Sequence, residues 1–263
     1  MKSKKHMRME VIQMNELNFD KVNQFVNENI VAFHNNRLSA LNRLTLSRLL
    51  AKNPYLFKAK YLETASELIN SLLEAFLSSS EEKIFGDFLE DLAIFIAQQT
   101  SNGKKSSAAG IDLEFERGNI HYLVSIKSGT NWGNSSQHRR LADDFISARR
   151  VLQQSQFGMN VQPVLGICYG KTKTSITNAG YLKVVGQNFW YLISGNKNLY
   201  VDIIEPVGYR AKEHNQDFNQ QRNKIANRFT GEFITTYCYP DGGIHWEKLV
   251  TDHCGNFDMP TMT

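Results

Sequence analysis

Apolar residues at helical spacing dominate the first third of the chain. Between residues 16 and 50 they include Leu17, Val22, Phe25, Val26, Ile30, Phe33, Leu38 and Leu41, which predicts helix. "LETASELINSLLEAFLS" (62–78) predicts another. A further helix is expected right behind it. Ser79 with Glu82 three residues on is a capping-box pattern, and Ile84, Phe85, Phe88, Leu89, Leu92 and Ile96 follow with helical period. "TSNGKKSSAAG" (100–110) reads as a loop of small and basic residues.

The period then changes from that of a helix to that of a strand. Ile111, Leu113 and Phe115 alternate with Asp112, Glu114 and Glu116. Ile120, Tyr122, Val124 and Ile126 alternate with His121, Leu123, Ser125 and Lys127. Successive strand side chains point to opposite faces, so each strand has one apolar face and one mixed face. Gly118-Asn119 between them suits a two-residue primed turn. That turn pairs Arg117 with Ile120, Phe115 with Tyr122, Leu113 with Val124, and Asp112 with Ser125. Asp112, Ser125 and Lys127 then share one face, and Ile111, Leu113, Val124 and Ile126 the other. The plain alternative is a solvent-facing ion pair between Asp112 and Lys127, an arrangement of nearly neutral energy.

Beyond the hairpin, "SQHRRLADDFISARRVLQQS" (136–155) predicts a helix. "VQPVLGICYGKT" (161–172) predicts a buried strand followed by a glycine-containing loop. "NFWYLISG" is helix-like, "LYVDIIEPV" strand-like, and "QDFNQQRNKIANRFTGEFITTY" (216–237) a long helix. This order implies an α/β or α+β core sheet with helices added at both ends.

The 263 residues, 41% hydrophobic and 21% charged, suit an ordinary globular protein with a substantial core. No apolar run approaches the ~20 residues that span a bilayer. The basic start, "MKSKKHMRMEVIQMNELNFD", lacks an apolar signal core, so a cytoplasmic protein is expected. Cys168, Cys238 and Cys254 offer no disulfide framework. A zinc site from Cys238, His245, His253 and Cys254 would have a spacing that matches no usual finger. A net charge of +4 permits a nucleic-acid partner without requiring one.

An Asp on one strand, then acid-x-Lys on the next, is the signature of the PD-(D/E)xK nuclease superfamily, which this segment resembles. The matching parts are Gly86-Asp87-Phe88-Leu89-Glu90, Gly110-Ile111-Asp112 and Ser125-Ile126-Lys127 followed by Ser128-Gly129. "SIKSG…W", "VLGICYG" and "IHWEKL" look like a subgroup of type II restriction endonucleases that also write Ser-x-Lys. The resemblance runs from about residue 80 to 250. It implies a restriction-endonuclease-like α/β core, a mixed central sheet flanked by helices, with N- and C-terminal helical additions. One nuclease domain is then expected, with a helical region to about 78, a catalytic core over 79–208 and a helical region over 209–263.

The resemblance also implies an activity: Mg²⁺-dependent, sequence-specific cleavage of double-stranded DNA by a homodimer, beside a protective DNA methyltransferase. Mn²⁺ would substitute. The implied catalytic residues are Asp112, Ser125, Lys127 and Glu90; the implied metal ligands are Asp112, Glu90 and the backbone carbonyl of Ile126. Ser125 departs from the pattern, because the superfamily usually has a carboxylate there and a hydroxyl binds a hard cation more weakly. Glu90 is the first candidate for the replacing acid. Glu81, Glu82, Asp91, Glu114, Asp143 and Asp144 are the others. A structure-specific repair or junction-resolving nuclease of the same fold, or a degenerate DNA-binding protein, are the competing readings.

"SGTNWGNSSQHRRLADDF" directly follows Lys127. Asn and Gln can read adenine, and Arg guanine, while Ser and Gly allow close approach to phosphates. Asn131, Trp132, Asn134, Ser135, Gln137, Arg139 and Arg140 are therefore candidate DNA contacts. Lys104, Lys105, Lys171 and Lys173 in two flanking loops are candidate phosphate contacts. The bland reading is a polar loop and helix start, with Trp132 on the core and the lysines solvated. The long helices of 16–78 and 216–237 are candidate dimer elements; their bland role is to cover the sheet.

Overall fold

The computed structural model describes residues 14–155 and 158–259. The basic start, as far as residue 13, lies outside them. Helices α1 (Phe19–Asn42), α2 (Leu46–Leu50), α3 (Pro54–Ala59) and α4 (Ala65–Ser101) come first. Then follow β1 (Lys104–Lys105), β2 (Leu113–Arg117), β3 (Ile120–Lys127) and α5 (Ser135–Ser155). Next are β4 (Asn160–Ile167), β5 (Ser175–Ile176), β6 (Leu182–Val185) and α6 (Gln187–Ser194). The chain continues with α7 (Leu199–Asp202), α8 (Ile204–Val207), α9 (Ala211–Tyr237) and α10 (Trp246–Cys254). No helix of the described residues is long and apolar enough to cross a membrane.

The described residues divide into two compact units, one within 1–30 and 85–209, the other within 31–84 and 210–263. The second unit is helical and closes on its own core. Leu68, Ile69 and Leu73 of α4 pack there with Phe229 and Phe233 of α9.

The first unit holds the sheet. Its six described strands run in the order β1-β2-β3-β4-β6-β5. β3, β4 and β6 are parallel, and the flanking pairs are antiparallel. Helices cover both faces. Leu123, Leu165 and Ile167 pack with Leu141 and Phe145 of α5. Gly166 points the other way, where a Cβ would stand 2.3 Å from Phe189 of α6. Only a glycine strand position lets that ring lie on the sheet.

Two predicted elements are corrected. The expected helix break at Ser79 does not occur, because α4 runs unbroken through it. Ser79 Oγ donates back to the Ala75 carbonyl at 3.0 Å. The real capping box stands at the head of α4, where Glu67 Oε2 accepts from Thr64 N and Thr64 Oγ1 accepts from Glu67 N. These bonds lower the Glu67 pKa. "LYVDIIEPV" forms the short helices α7 and α8, not a strand. Its Leu199 is buried while Val201 and Ile204 are exposed, so its apolar run is not a doubly buried one.

Candidate active site

β2 and β3 pair in the register that the turn length demands: Arg117 with Ile120, Phe115 with Tyr122, Leu113 with Val124. Gly118 alone of the two turn residues has positive φ, +64°, which fits the II′ form. Asp112 lies one residue before β2 and extends the ladder. Its N–H donates to the Val124 carbonyl at 2.9 Å, and its carbonyl accepts from Ser106 N at 3.2 Å.

The side chain of Asp112 gathers three donors on one oxygen. Oδ2 accepts from Ser125 Oγ at 3.2 Å, from Ile126 N at 2.5 Å and from Lys127 Nζ at 3.4 Å. Because Ile126 N turns toward Asp112, strand alternation sends the Ile126 carbonyl to the same edge. The Lys127 carbonyl goes the other way and accepts from Cys168 N at 2.9 Å. The cluster sits at the carboxyl end of β3, where open α/β sheets bind ligands.

This is not the solvent-facing ion pair of an ordinary hairpin. Ser125 is 1% exposed. Asp112 and Lys127 are both partly buried. One expectation about the faces fails. Ile111 packs with Leu123, Leu141 and Phe145 on the face shared by Ser125, not with Leu113 and Val124. It precedes β2, in a turn closed by its N–H to the Ala108 carbonyl, so strand alternation does not govern it.

Glu90 of α4 belongs to the same cluster electrostatically. Burial pushes its pKa up, and the Asp112 carboxylate pushes it further; Lys105 and Lys127 pull the other way. Lys105 Nζ lies 3.4 Å from Glu90 Oε1. Among the described residues no group of three His, Cys, Asp or Glu side chains forms a cation site. Glu90 and Asp112 are the acids that α4 and the hairpin bring within electrostatic reach of each other.

The other candidate acids have different surroundings. Glu81 is ion-paired with Arg37 at 2.7 Å. Glu114 is buried between Ser106 Oγ and His121 Nε2. Asp144 packs against Gly110, where a Cβ would stand 2.3 Å from its Oδ2. Glu82, Asp91 and Asp143 are exposed.

Two candidate DNA contacts have helix-capping work. Asn134 Oδ1 accepts from Ser136 N and Gln137 N, and Gln137 Oε1 accepts from Asn134 N, a reciprocal box at the head of α5. Trp132 is half-buried, with Lys127 Nζ 5.4 Å from its ring centre and the His138 ring edge-on at 5.0 Å. His138 Nδ1 lies 3.2 Å from the Tyr181 hydroxyl. Lys104, Lys105, Asn131, Ser135, Arg139, Arg140, Lys171 and Lys173 are exposed.

A model of the family described as type II restriction endonuclease EcoO109I matches residues 20–215. The chain belongs to that family. It is therefore a site-specific deoxyribonuclease, a hydrolase that acts on DNA. No curated protein matches the chain. The matched span of this EcoO109I-family enzyme contains Glu90, Asp112, Ser125 and Lys127.

Sequence reasoning passed over two residues beside these. Cys168 is buried, and its thiol is pushed up first by burial and then by Glu90, against a smaller pull from Lys127. It is a packing residue and not a nucleophile. Tyr169 follows it, exposed, with its N–H on the Ser128 carbonyl. The only signal for either was the "CYG" after the apolar strand.

Proposed function

We propose that the enzyme hydrolyses phosphodiester bonds of double-stranded DNA with Mg²⁺, in a PD-(D/E)xK site whose usual second acid is replaced by Ser125. The convergence of Ser125, Ile126 and Lys127 on Asp112 Oδ2, beside the half-buried Glu90, carries this reading.

The donor set fits a hard cation. Asp112, Glu90 and the Ile126 carbonyl are all oxygen ligands, the kind Mg²⁺ takes while keeping several waters. The Glu90 pKa is raised first by burial and then by the Asp112 carboxylate, and a bound cation would offset both. When bound, the ion acts as a Lewis acid on the scissile phosphate.

The remaining work belongs to the chain. The Asp112 carboxylate aims the Lys127 ammonium. That ammonium orients the attacking water and offsets the negative charge that builds on the phosphate. Ser125, held in the interior, fixes the carboxylate by its hydrogen bond and leaves Oδ1 outside these contacts. The exposed Arg139, Arg140, Lys171 and Lys173 neutralise backbone phosphates.

We read the chain as one nuclease domain that works in the cytoplasm as a two-fold homodimer, each copy cutting one strand. The helices of 16–78 and 216–237 are our candidates for its interface, and a cognate methyltransferase protects the host's sites.

Digestion of plasmid DNA in Mg²⁺ tests the reading. Discrete, reproducible fragments are expected. Cleavage confined to branched or damaged DNA would support a structure-specific nuclease instead. Binding without cleavage in Mg²⁺ or Mn²⁺ would support a degenerate site.

A further inference from the structure

Just past the ends of β3 and β4, two glycines form a reciprocal interlock. A Cβ on Gly129 would stand 2.5 Å from both Cζ and the hydroxyl oxygen of Tyr169. A Cβ on Gly170 would stand 2.4 Å from Thr130 Cγ2. Gly170 has φ +124°, a conformation that glycine alone adopts readily. Beneath it, a Cβ on Gly186 would stand 2.4 Å from the Gly170 carbonyl oxygen. The Tyr169 N–H donates to the Ser128 carbonyl at 2.9 Å. Backbone and ring of Tyr169 are thus both held by the turn that follows Lys127.

Yet this fixed ring is 52% exposed. Its hydroxyl has no hydrogen-bond partner among the described residues. Single exposed aromatics are ordinary on protein surfaces. Tyr169 differs because its ring packs against Gly129 and its N–H is held by Ser128, beside the candidate active site, with the exposed Lys171 and Lys173 next along the chain. A rigid phenol with an unused O–H is suited to a phosphate oxygen, since little conformational freedom remains to be lost on binding.

We propose that Tyr169 is a further substrate-contact residue, its hydroxyl donating to a phosphate oxygen next to the scissile phosphate. The proposal rests on the reading that Lys127 marks the scissile phosphate. Gly129 serves the same contact by letting the hydroxyl end of the ring approach the backbone just after Lys127.

The test is Tyr169→Phe, which keeps the ring on Gly129 and removes only the hydroxyl. Cleavage of a plasmid that the wild-type enzyme cuts is followed in Mg²⁺, binding of that plasmid in Ca²⁺, and thermal unfolding without DNA. A drop of about tenfold in kcat/KM is expected, the size of one hydrogen bond to a charged group, with unchanged melting temperature. Wild-type cleavage by Tyr169→Phe would overturn the proposal. So would a fall in melting temperature parallel to the fall in activity, which would give the hydroxyl to the fold. Lys127→Ala separates this failure from the other. If Lys127→Ala is inactive and Tyr169→Phe is normal, only the Tyr169 contact falls. If Lys127→Ala cuts at the wild-type rate, the site reading falls and the Tyr169 proposal with it.

Discussion

Lys127 Nζ stands 3.4 Å from Asp112 Oδ2, across a hairpin whose register is fixed by the turn at Gly118 and Asn119. A register slip of one residue would send either side chain to the other face of the sheet. The turn, a feature with no chemistry of its own, is what assembles the carboxylate and the ammonium. Consequences of this arrangement, and of the packing around it, can be measured.

Glu90 is expected to cost stability in the metal-free enzyme. Its folded pKa is raised, mainly by burial and then by Asp112. The folded chain therefore holds that proton to higher pH than the unfolded chain. The cost is full above the folded pKa and fades as pH falls through it. Glu90→Gln should melt higher than wild type at neutral pH in chelator, with the gap closing toward acid pH. Added Mg²⁺ should raise the wild-type melting temperature and leave that of the variant in place.

His34 is expected to make the helical unit acid-sensitive. Its pKa is pulled down from 6.5 to about 4, first by burial and then by His214 and Arg37. The rings of His34 and His214 stack at 4.4 Å, and Arg37 donates to His34 Nδ1 at 3.2 Å, which needs that nitrogen unprotonated. Arg37 is itself paired with Glu81. The unfolded chain then binds the extra proton first, so stability is full above pH 6.5 and is lost as pH falls toward about 4. Unfolding followed over that window should show a shallower fall for His34→Gln than for wild type.

Gly166→Ala is expected to destabilise the sheet unit by about 1–3 kcal/mol, the usual result of overpacking a core. The new Cβ would stand 2.3 Å from Phe189, a ring with no exposed surface into which to retreat. A lower urea midpoint checks this. An unchanged midpoint would mean that α6 can lift from β4.

The hairpin was legible because two local signals agreed. Period-2 alternation and a glycine turn left one register, and that register put Asp112 beside Ser125. Ile111 was misassigned because alternation was carried past the end of the strand. The false break at Ser79 shows the limit of capping patterns. A Ser-x-x-Glu spacing occurs there, but apolar positions on both sides, Leu73, Leu77, Phe88 and Leu92, are all buried and the helix continues through it. Thr64 and Glu67 have the same spacing, and there the box does cap the helix. β5 and β6 are two and four residues long, too short for a period to show. In the sequence Glu90 is one of several candidate acids. Only the fold brings its charge within reach of Asp112 and Lys127.

DNA affinity should fall steeply with salt through the exposed cations near the site. Each phosphate contact removed should lower the slope of log K against log salt by about 0.9. Lys171→Ala with Lys173→Ala should show roughly twice that change in a Ca²⁺ binding assay. Substitution of Lys58 and Lys60, exposed in the helical unit, should leave the slope alone.

The most direct measurement is single-turnover cleavage of plasmid DNA across a Mg²⁺ titration by wild type, Asp112→Asn and Lys127→Ala, each checked for wild-type folding and for DNA binding in Ca²⁺. Both variants should bind DNA and cut roughly 10²–10³-fold more slowly, the scale of losing one positioned catalytic group. Asp112→Asn should gain nothing from further Mg²⁺. Cleavage near the wild-type rate by either folded variant would contradict the assignment of Asp112 and Lys127 to the active site.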